Sequence, residues 1–323
     1  MEKVKLISHT DLDGYGCEYI LKVFGFEVDA VHTNYDKVND IVIDYITSGK
    51  YKEYDRTFIT DISINDKVAK LINDLYVIDD INIVLLDHHI TAMELNKYDW
   101  CYISETLLND KTCGTELVYQ YILKNYITEL KENTFISGNY LFNIIDLVNT
   151  IRIYDTWIWK ETDYLKSKYL NDLFYILGNE KFWELLSCNG YLDVDTFIGD
   201  YFYLIEIEQE KTDNYIKKKQ KEIIKYPIDE YMVGIVFANK YHSELGNALA
   251  ETNTDCDLIA IIGENNISYR TIKDIDCSEF AKRFGGGGHP KASGSPINLK
   301  QKDDIVKLLF ANPNKKEDSI IKD

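Results

Sequence analysis

His9, Asp11 and Asp13 stand at alternate positions of His9-Thr10-Asp11-Leu12-Asp13-Gly14, directly after the apolar run Val4-Lys5-Leu6-Ile7. Alternate side chains of an extended chain point the same way, so this spacing predicts one imidazole and two carboxylates projecting together. Acceptors gathered without a counter-charge repel one another and lose hydration, and a bound dication turns that repulsion into attraction. Imidazole nitrogen with carboxylate oxygen suits Mn²⁺ or Mg²⁺ better than a metal that prefers thiolate. A strand end running into an Asp-rich helix cap accounts for the same residues, and this segment alone does not separate the two readings.

Further groups of this kind recur downstream. Asp61 follows Thr57-Phe58-Ile59-Thr60, and Asp87-His88-His89 follows Val84-Leu85-Leu86. Asp61 taken alone reads as a helix cap, since Asp61-Ile62-Ser63 leads into a helical segment. A carboxylate and two imidazoles ending a buried strand require a joint explanation. Asp155, within Arg152-Ile153-Tyr154-Asp155-Thr156-Trp157, either pairs with Arg152 three residues back or closes a metal site. Near the end of the chain, Gly285-Gly286-Gly287-Gly288-His289-Pro290-Lys291-Ala292-Ser293-Gly294 strips the backbone of side chains, and its N–H groups can form an anion-binding concavity. His289, Lys291 and Ser293 add donors beside the glycines, and Arg270 lies on a strand just before them. A flexible linker is the alternative.

The elements that must position these residues follow from periodicity. Lys3–Ile7, Val28–His32, Thr57–Ile59 and Ile83–Leu86 read as strands. Cys17, Ile20, Leu21 and Phe24 fall on one helix face, with further helices near Val38–Ile46 and Lys67–Leu75. This alternation predicts an α/β fold, with a parallel sheet covered by helices on both faces, in which ligands bind beyond the carboxyl ends of the strands. The three acidic groups then share one rim. After Trp100 the pattern turns helical, with Thr115 expected to cap a helix, and residues Leu165 to Tyr226 read as helices with the basic run Lys217-Lys218-Lys219-Gln220-Lys221 as a solvated face. A smaller α/β domain begins near Ile228, with strands Met232–Phe237, Leu258–Ile262 and Ile267–Thr271 and helices Ser243–Thr252 and Ser278–Phe284. The expected division is a metal-binding catalytic domain over 1–200, a helical linker over 201–227 and a substrate domain over 228–323. His32 and His242 stand alone and read as structural.

Composition narrows the class. With 323 residues and 45% hydrophobic content the chain can bury two cores. Its 36 basic against 54 acidic residues give a net charge of −18, a field that repels long polyanions and argues against tracking duplex nucleic acid. Six scattered cysteines (17, 101, 113, 188, 256 and 277) form no CxxC pair, so neither a zinc site nor a disulfide framework is indicated. That usage, the lack of an apolar leader after Met1 and the lack of any run of roughly 20 apolar residues predict a cytoplasmic protein outside the membrane.

Ser8–Gly14, Asp61, Asp87-His88-His89 and Arg152–Trp157 resemble, in order, the four motifs of the DHH phosphoesterases. Gly285–Gly294 resembles the GGGH motif of the substrate domain that follows them in one subfamily. Within the family the chain looks most like the oligoribonuclease branch. The resemblance implies two Mn²⁺ ions, with Mg²⁺ or Co²⁺ as substitutes: His9, Asp13 and Asp61 on one, and Asp11, Asp61, His88 and Asp155 on the other. Asp87 would orient a neighbouring imidazole, and His89 would face the substrate. Arg270, Gly286, Gly287, Gly288, His289 and Ser293 would hold its phosphate or sugar. The implied activity is hydrolysis of short RNA oligonucleotides to mononucleotides. Linear or cyclic dinucleotides and 3′-phosphonucleotides are alternative substrates, and an inactive nucleotide-binding module is the reading from a different class. A homodimer is left open.

Overall fold

The computed structural model describes residues 2–78, 81–133, 138–187 and 192–310. It divides into two compact units, residues 1–206 and 207–323.

The first unit is built on β1 (Lys3–Ser8), α1 (Leu12–Val23), β2 (Glu27–His32), α2 (Val38–Thr47), β3 (Arg56–Thr60), α3 (Asp66–Ile78), β4 (Ile83–Asp87) and β5 (Cys101–Ile103). The strands form one sheet in the order β2-β1-β3-β4-β5, with every pair parallel. Alternation along each strand sends side chains to two cores. Val4, Leu6, Phe58 and Leu86 pack on one face against α1 and later helices, while Ile7, Ile59 and Leu85 pack on the other against α2 and α3. The apolar stripe Cys17, Ile20, Leu21 and Phe24 lies in the first of these cores, as its spacing predicts.

A short hairpin, β6 (Thr106–Leu107) with β7 (Asp110–Lys111), leads into α4 (Gly114–Asn133) and α5 (Gly138–Asp155), then α6 (Ile158–Thr162), α7 (Leu165–Leu177), α8 (Asn179–Leu186) and α9 (Val194–Gln220). The small strands β5 to β7 escape the sequence reading because two or three residues carry no measurable period. The boundary between the compact units falls inside α9.

The second unit contains β8 (Ile224–Ile228), β9 (Tyr231–Phe237), α10 (His242–Thr252), β10 (Leu258–Ile262), β11 (Asn266–Arg270), α11 (Cys277–Lys282), β12 (Gly287–His289), β13 (Ala292–Pro296) and α12 (Leu299–Leu309). Its sheet runs β12-β13-β11-β10-β9-β8, antiparallel except for β9 with β10. Leu245 and Leu249 of α10 pack on one face and Phe280 of α11 on the other. One expectation is corrected here. Residues 224–226, read as helical, are the start of edge strand β8, where Tyr226-Pro227 suits an edge because proline cannot donate to an inner ladder. The flexible-linker alternative for the glycine tract is set aside: Gly287 to His289 pair with Ala292 to Gly294.

Among the described residues, Cys17, Cys101, Cys113, Cys256 and Cys277 are free thiols; Cys188 lies outside them. No helix of the described residues is long and apolar enough to cross a membrane.

Candidate metal centre

The sheet order reverses direction between β1 and β3, and in open parallel sheets the crevice beyond the strand ends at such a point is where ligands sit. His9 to Asp13 follow β1, Asp61 follows β3 and Asp87 to His89 end β4, so the order places them at that crevice. Asp155, the last residue of α5, reaches the same cluster.

Asp61 is at its centre. It is 1% exposed, and its backbone takes a left-handed φ of 54° that turns the chain sharply off the sheet. Its two carboxylate oxygens face different partners: Oδ2 lies 3.9 Å from His9 Nδ1, and Oδ1 lies 3.3 Å from His88 Nε2. On the first side His9 Nδ1 and Asp11 Oδ2 are 2.7 Å apart. On the second, His88 Nε2 lies 3.3 Å from Asp155 Oδ2 and 3.9 Å from Asp13 Oδ2. Donor atoms of His9, Asp11 and Asp61 converge within 4.8 Å, as do those of Asp13, His88 and Asp155. This grouping of donor atoms differs from the division implied by the resemblance: Asp11, not Asp13, lies on the His9 side. The reason is local. The extended chain ends at Asp11, which caps α1 by accepting from Gly14 N–H at 3.0 Å, and Asp13 is already helical. Alternation at 180° per residue gives way to helical rotation, so the two carboxylates diverge.

Asp13 has a second task that the sequence hides. Its two oxygens accept from Gly114 N–H at 2.6 Å and Thr115 N–H at 2.8 Å, the exposed donors at the start of α4. Thr115 does not supply the cap expected of it; its hydroxyl donates to the Asp13 carbonyl. Gly114 is required by this approach, since a Cβ there would lie 2.6 Å from Asp61 Cβ. The run Thr112-Cys113-Gly114-Thr115 carried the signal, a glycine at a helix start. Arg152 does not pair with Asp155; it donates to the Lys111 carbonyl and to Asn149. Asp61 does not cap α3, where Asn65 accepts from Val68 N–H instead.

Asp87 is fully buried. One oxygen accepts from His88 N–H at 2.8 Å and lies 2.7 Å from His89 Nδ1, and the other accepts from the Ser63 hydroxyl. His89 Nε2 meets Tyr35 Oη at 2.9 Å. Tyr35 went unnoticed because one tyrosine in a β–α loop, among 25 in the chain, has no distinguishing neighbour. His32, read as isolated, bonds the His9 carbonyl and Glu18, each at 2.7 Å, and stacks on Tyr15.

The electrostatics describe a site short of positive charge. Burial, and then the charges of Asp13, Asp11 and Asp155, push Asp61 well above the usual carboxylate range. Burial and Asp13 do the same to Asp155, and burial lowers His88. Against the upward pull of burial, His9 and Gly14 N–H hold Asp11 low, and His89 and Ser63 hold Asp87 low. Burial pulls His89 down, but Asp87 outweighs it and the imidazole is held above its usual value. Asp61 Oδ2, His88 Nε2 and Asp155 Oδ2 are buried with no hydrogen-bond partner. Orphaned acceptors of this kind are costly unless a cation meets them, so the donor set fits divalent metal. The thiols of Cys17 and Cys113, fully buried and raised by burial and by Asp13, are not nucleophiles.

In the second unit, Arg270 ends β11, donates to the Tyr269 carbonyl and touches Ser243 Oγ at 3.3 Å. His289 is exposed at the end of β12. A Cβ on Gly286 would lie 2.0 Å from the Gly294 carbonyl oxygen, and Gly288 has a φ of 137°, so these glycines serve a tight strand pairing. A Cβ on Gly285 or Gly287 would meet nothing within 4 Å, so the tract is open at those two positions. Ser293 is 7% exposed and its hydroxyl donates to the Cys277 carbonyl, tying the hairpin to α11. Lys291 donates to the Lys273 carbonyl. His242 bonds Ser268 Oγ and the Ala238 carbonyl.

Residues 232–312 match the DHHA1 domain family. The chain is 36% identical over 315 residues to oligoribonuclease NrnB of Bacillus subtilis, covering 95% of this chain and 75% of that protein. It is 25% identical over 339 residues to a 3′,5′-cyclic-nucleotide phosphodiesterase of Helicobacter pylori, covering 92% and 94%. Among solved structures, exonuclease RecJ bound to manganese matches with a TM-score of 0.55 at 12% identity, over 94% of this chain and 88% of that one. With its parallel-sheet unit, its mixed-sheet DHHA1 domain and this level of identity over most of its length, the chain belongs to the DHH phosphoesterase family, in its oligoribonuclease branch, and is a phosphodiesterase acting on nucleotides.

Proposed function

We propose that this protein hydrolyses short RNA oligonucleotides to mononucleotides, using two divalent cations held by His9, Asp11, Asp13, Asp61, His88 and Asp155. The observation that carries this reading is Asp61, whose two oxygens face the His9–Asp11 group and the His88–Asp155 group respectively. One buried carboxylate set between two incomplete donor groups suits a bridging ligand. Mn²⁺ is the first ion to test, because a solved structure of the same fold carries it. When bound, such cations supply the charge that lowers the pKa of an attacking water and offsets charge on the phosphoryl oxygens.

The chain's own groups do the rest. His88 and Asp155 orient one side of Asp61, and His9 and Asp11 the other. Asp87 fixes the His89 ring through Nδ1, and Tyr35 holds Nε2. With its protonated form favoured by Asp87, His89 would donate from Nε2 to a phosphoryl or leaving oxygen by exchanging its Tyr35 partner for substrate. Within the DHHA1 domain, Arg270, the Gly286–Gly288 stretch and His289 are the groups proposed to bind phosphate or sugar, an arginine fork suiting phosphate. The intact donor set argues against an inactive binding module.

A second reading, hydrolysis of cyclic or linear dinucleotides, draws on the Helicobacter pylori relative. The test gives chelator-treated protein Mn²⁺, Mg²⁺ or Co²⁺ with a ladder of labelled RNA beside linear and cyclic dinucleotides. Cleavage of two- to five-mers to mononucleotides supports the first reading. Cleavage of cyclic or dinucleotide species alone replaces it with the second.

A further inference from the structure

The segment that follows Asp155 carries an aromatic stack that the site described above does not use. Lys160 Nζ lies 4.2 Å from the Trp157 ring centroid and 5.5 Å from that of Trp159. The two rings are 6.3 Å apart and 26° from parallel, so the ammonium bridges them. Trp159 in turn stacks on Tyr154, 6.0 Å away and 10° from parallel. Trp157 itself is 58% exposed.

Its backbone adds an independent observation. Trp157 has a φ of 65°, in the left-handed region, where a bulky side chain is disfavoured and persists only when its surroundings enforce it. The turn between α5 and α6 enforces it: Trp157 N–H donates to the Tyr154 carbonyl and the Trp157 carbonyl accepts from Lys160 N–H, which leaves the ring exposed. A large aromatic surface, exposed and braced by a cation, therefore follows directly on the helix that delivers Asp155. Only Thr156 separates it from Asp155, a Cα–Cα span of at most about 7 Å.

We propose that Trp157, backed by Lys160 and Trp159, is the platform on which a nucleobase of the substrate stacks. The inference rests on the nucleotide reading above and names the part of the substrate that this side of the site grips. Every base offers a π-face, so such a platform selects for the presence of a base near the reacting phosphate and tolerates any sequence.

The test compares a ribodinucleotide with its analogue lacking one base, using full-length protein with Mn²⁺. Wild type prefers the base-bearing substrate in kcat/KM, and Trp157→Ala reduces that preference by about tenfold, chiefly through KM. Trp157→Phe retains most of it. Trp157→Gly, which relieves the strained φ, keeps or raises Tm while losing the preference, an outcome that a purely structural role does not give. Without turnover, 5′-AMP quenches tryptophan fluorescence in wild type and quenches Trp157→Phe less. An unchanged preference in Trp157→Ala overturns the platform while leaving the phosphodiesterase reading intact. Wild type that cleaves neither dinucleotide overturns that reading itself, and the platform with it.

Discussion

Asp61 joins the halves of the site, and its cost to the metal-free protein is measurable. Its folded pKa is raised above an unfolded value of about 3.9, so its contribution to stability is fully present below that value and is lost as pH rises through the folded pKa. Metal-free wild type is therefore expected to lose more Tm than Asp61→Asn as pH is raised from 5 to 8. Asp61→Asn also loses the Tm gain on adding Mn²⁺ and all measurable turnover. Thermal scans across pH check the first claim, and equal slopes in the two proteins would sink it. Much of this was legible in the sequence, because apolar runs ending in His9, Asp61 and Asp87 to His89 announce strand ends with polar cargo. The division between Asp11 and Asp13 was not. It depends on where extension gives way to helix, a boundary of one residue that reverses which way a side chain points. Tyr35 was equally hidden, since nothing in its neighbours marks it as a partner of His89.

Single elements are held at the site by close approach. The start of α4 donates two N–H groups to Asp13, and Gly114 lets it come that near. Alanine is ordinarily the better helix former by about 1 kcal/mol. Here its Cβ would meet Asp61 Cβ at 2.6 Å and Asp13 Oδ2 at 3.0 Å. Gly114→Ala is expected to lose about 1–3 kcal/mol of stability and to weaken Mn²⁺ binding, both read from denaturant melts with and without the ion. A variant as stable as wild type, with unchanged ion affinity, contradicts this account of α4. The glycine tract teaches the converse. Glycine lacks strand propensity, yet Gly287 and Gly288 pair with β13, and the close approach leaves no room for a Cβ at Gly286 or Gly288.

For the molecule as a whole, charge sets the length of nucleic acid it tolerates. A net charge of −18 repels a long polyanion more strongly than a short one. Duplex DNA of about 20 base pairs is accordingly expected not to compete with a ribodinucleotide at about 0.15 M salt, where the Debye length is about 8 Å. Competition assays check this, and inhibition by the duplex at equimolar phosphate would show that the acidic field does not govern access. The fold class followed from the alternation of strands and helices in residues 3–86, and the second sheet from its central strands β9, β10 and β11. The edge strands β5, β8 and β12 did not, being short, proline-bearing or glycine-rich.

The account turns on Asp61 lying between two cations, and anomalous diffraction at the manganese edge from crystals soaked in Mn²⁺ tests this most directly. Two peaks are expected, one against His9, Asp11 and Asp61 and the other against Asp13, Asp61, His88 and Asp155. Peaks away from Asp61, or none at saturating Mn²⁺, would contradict it.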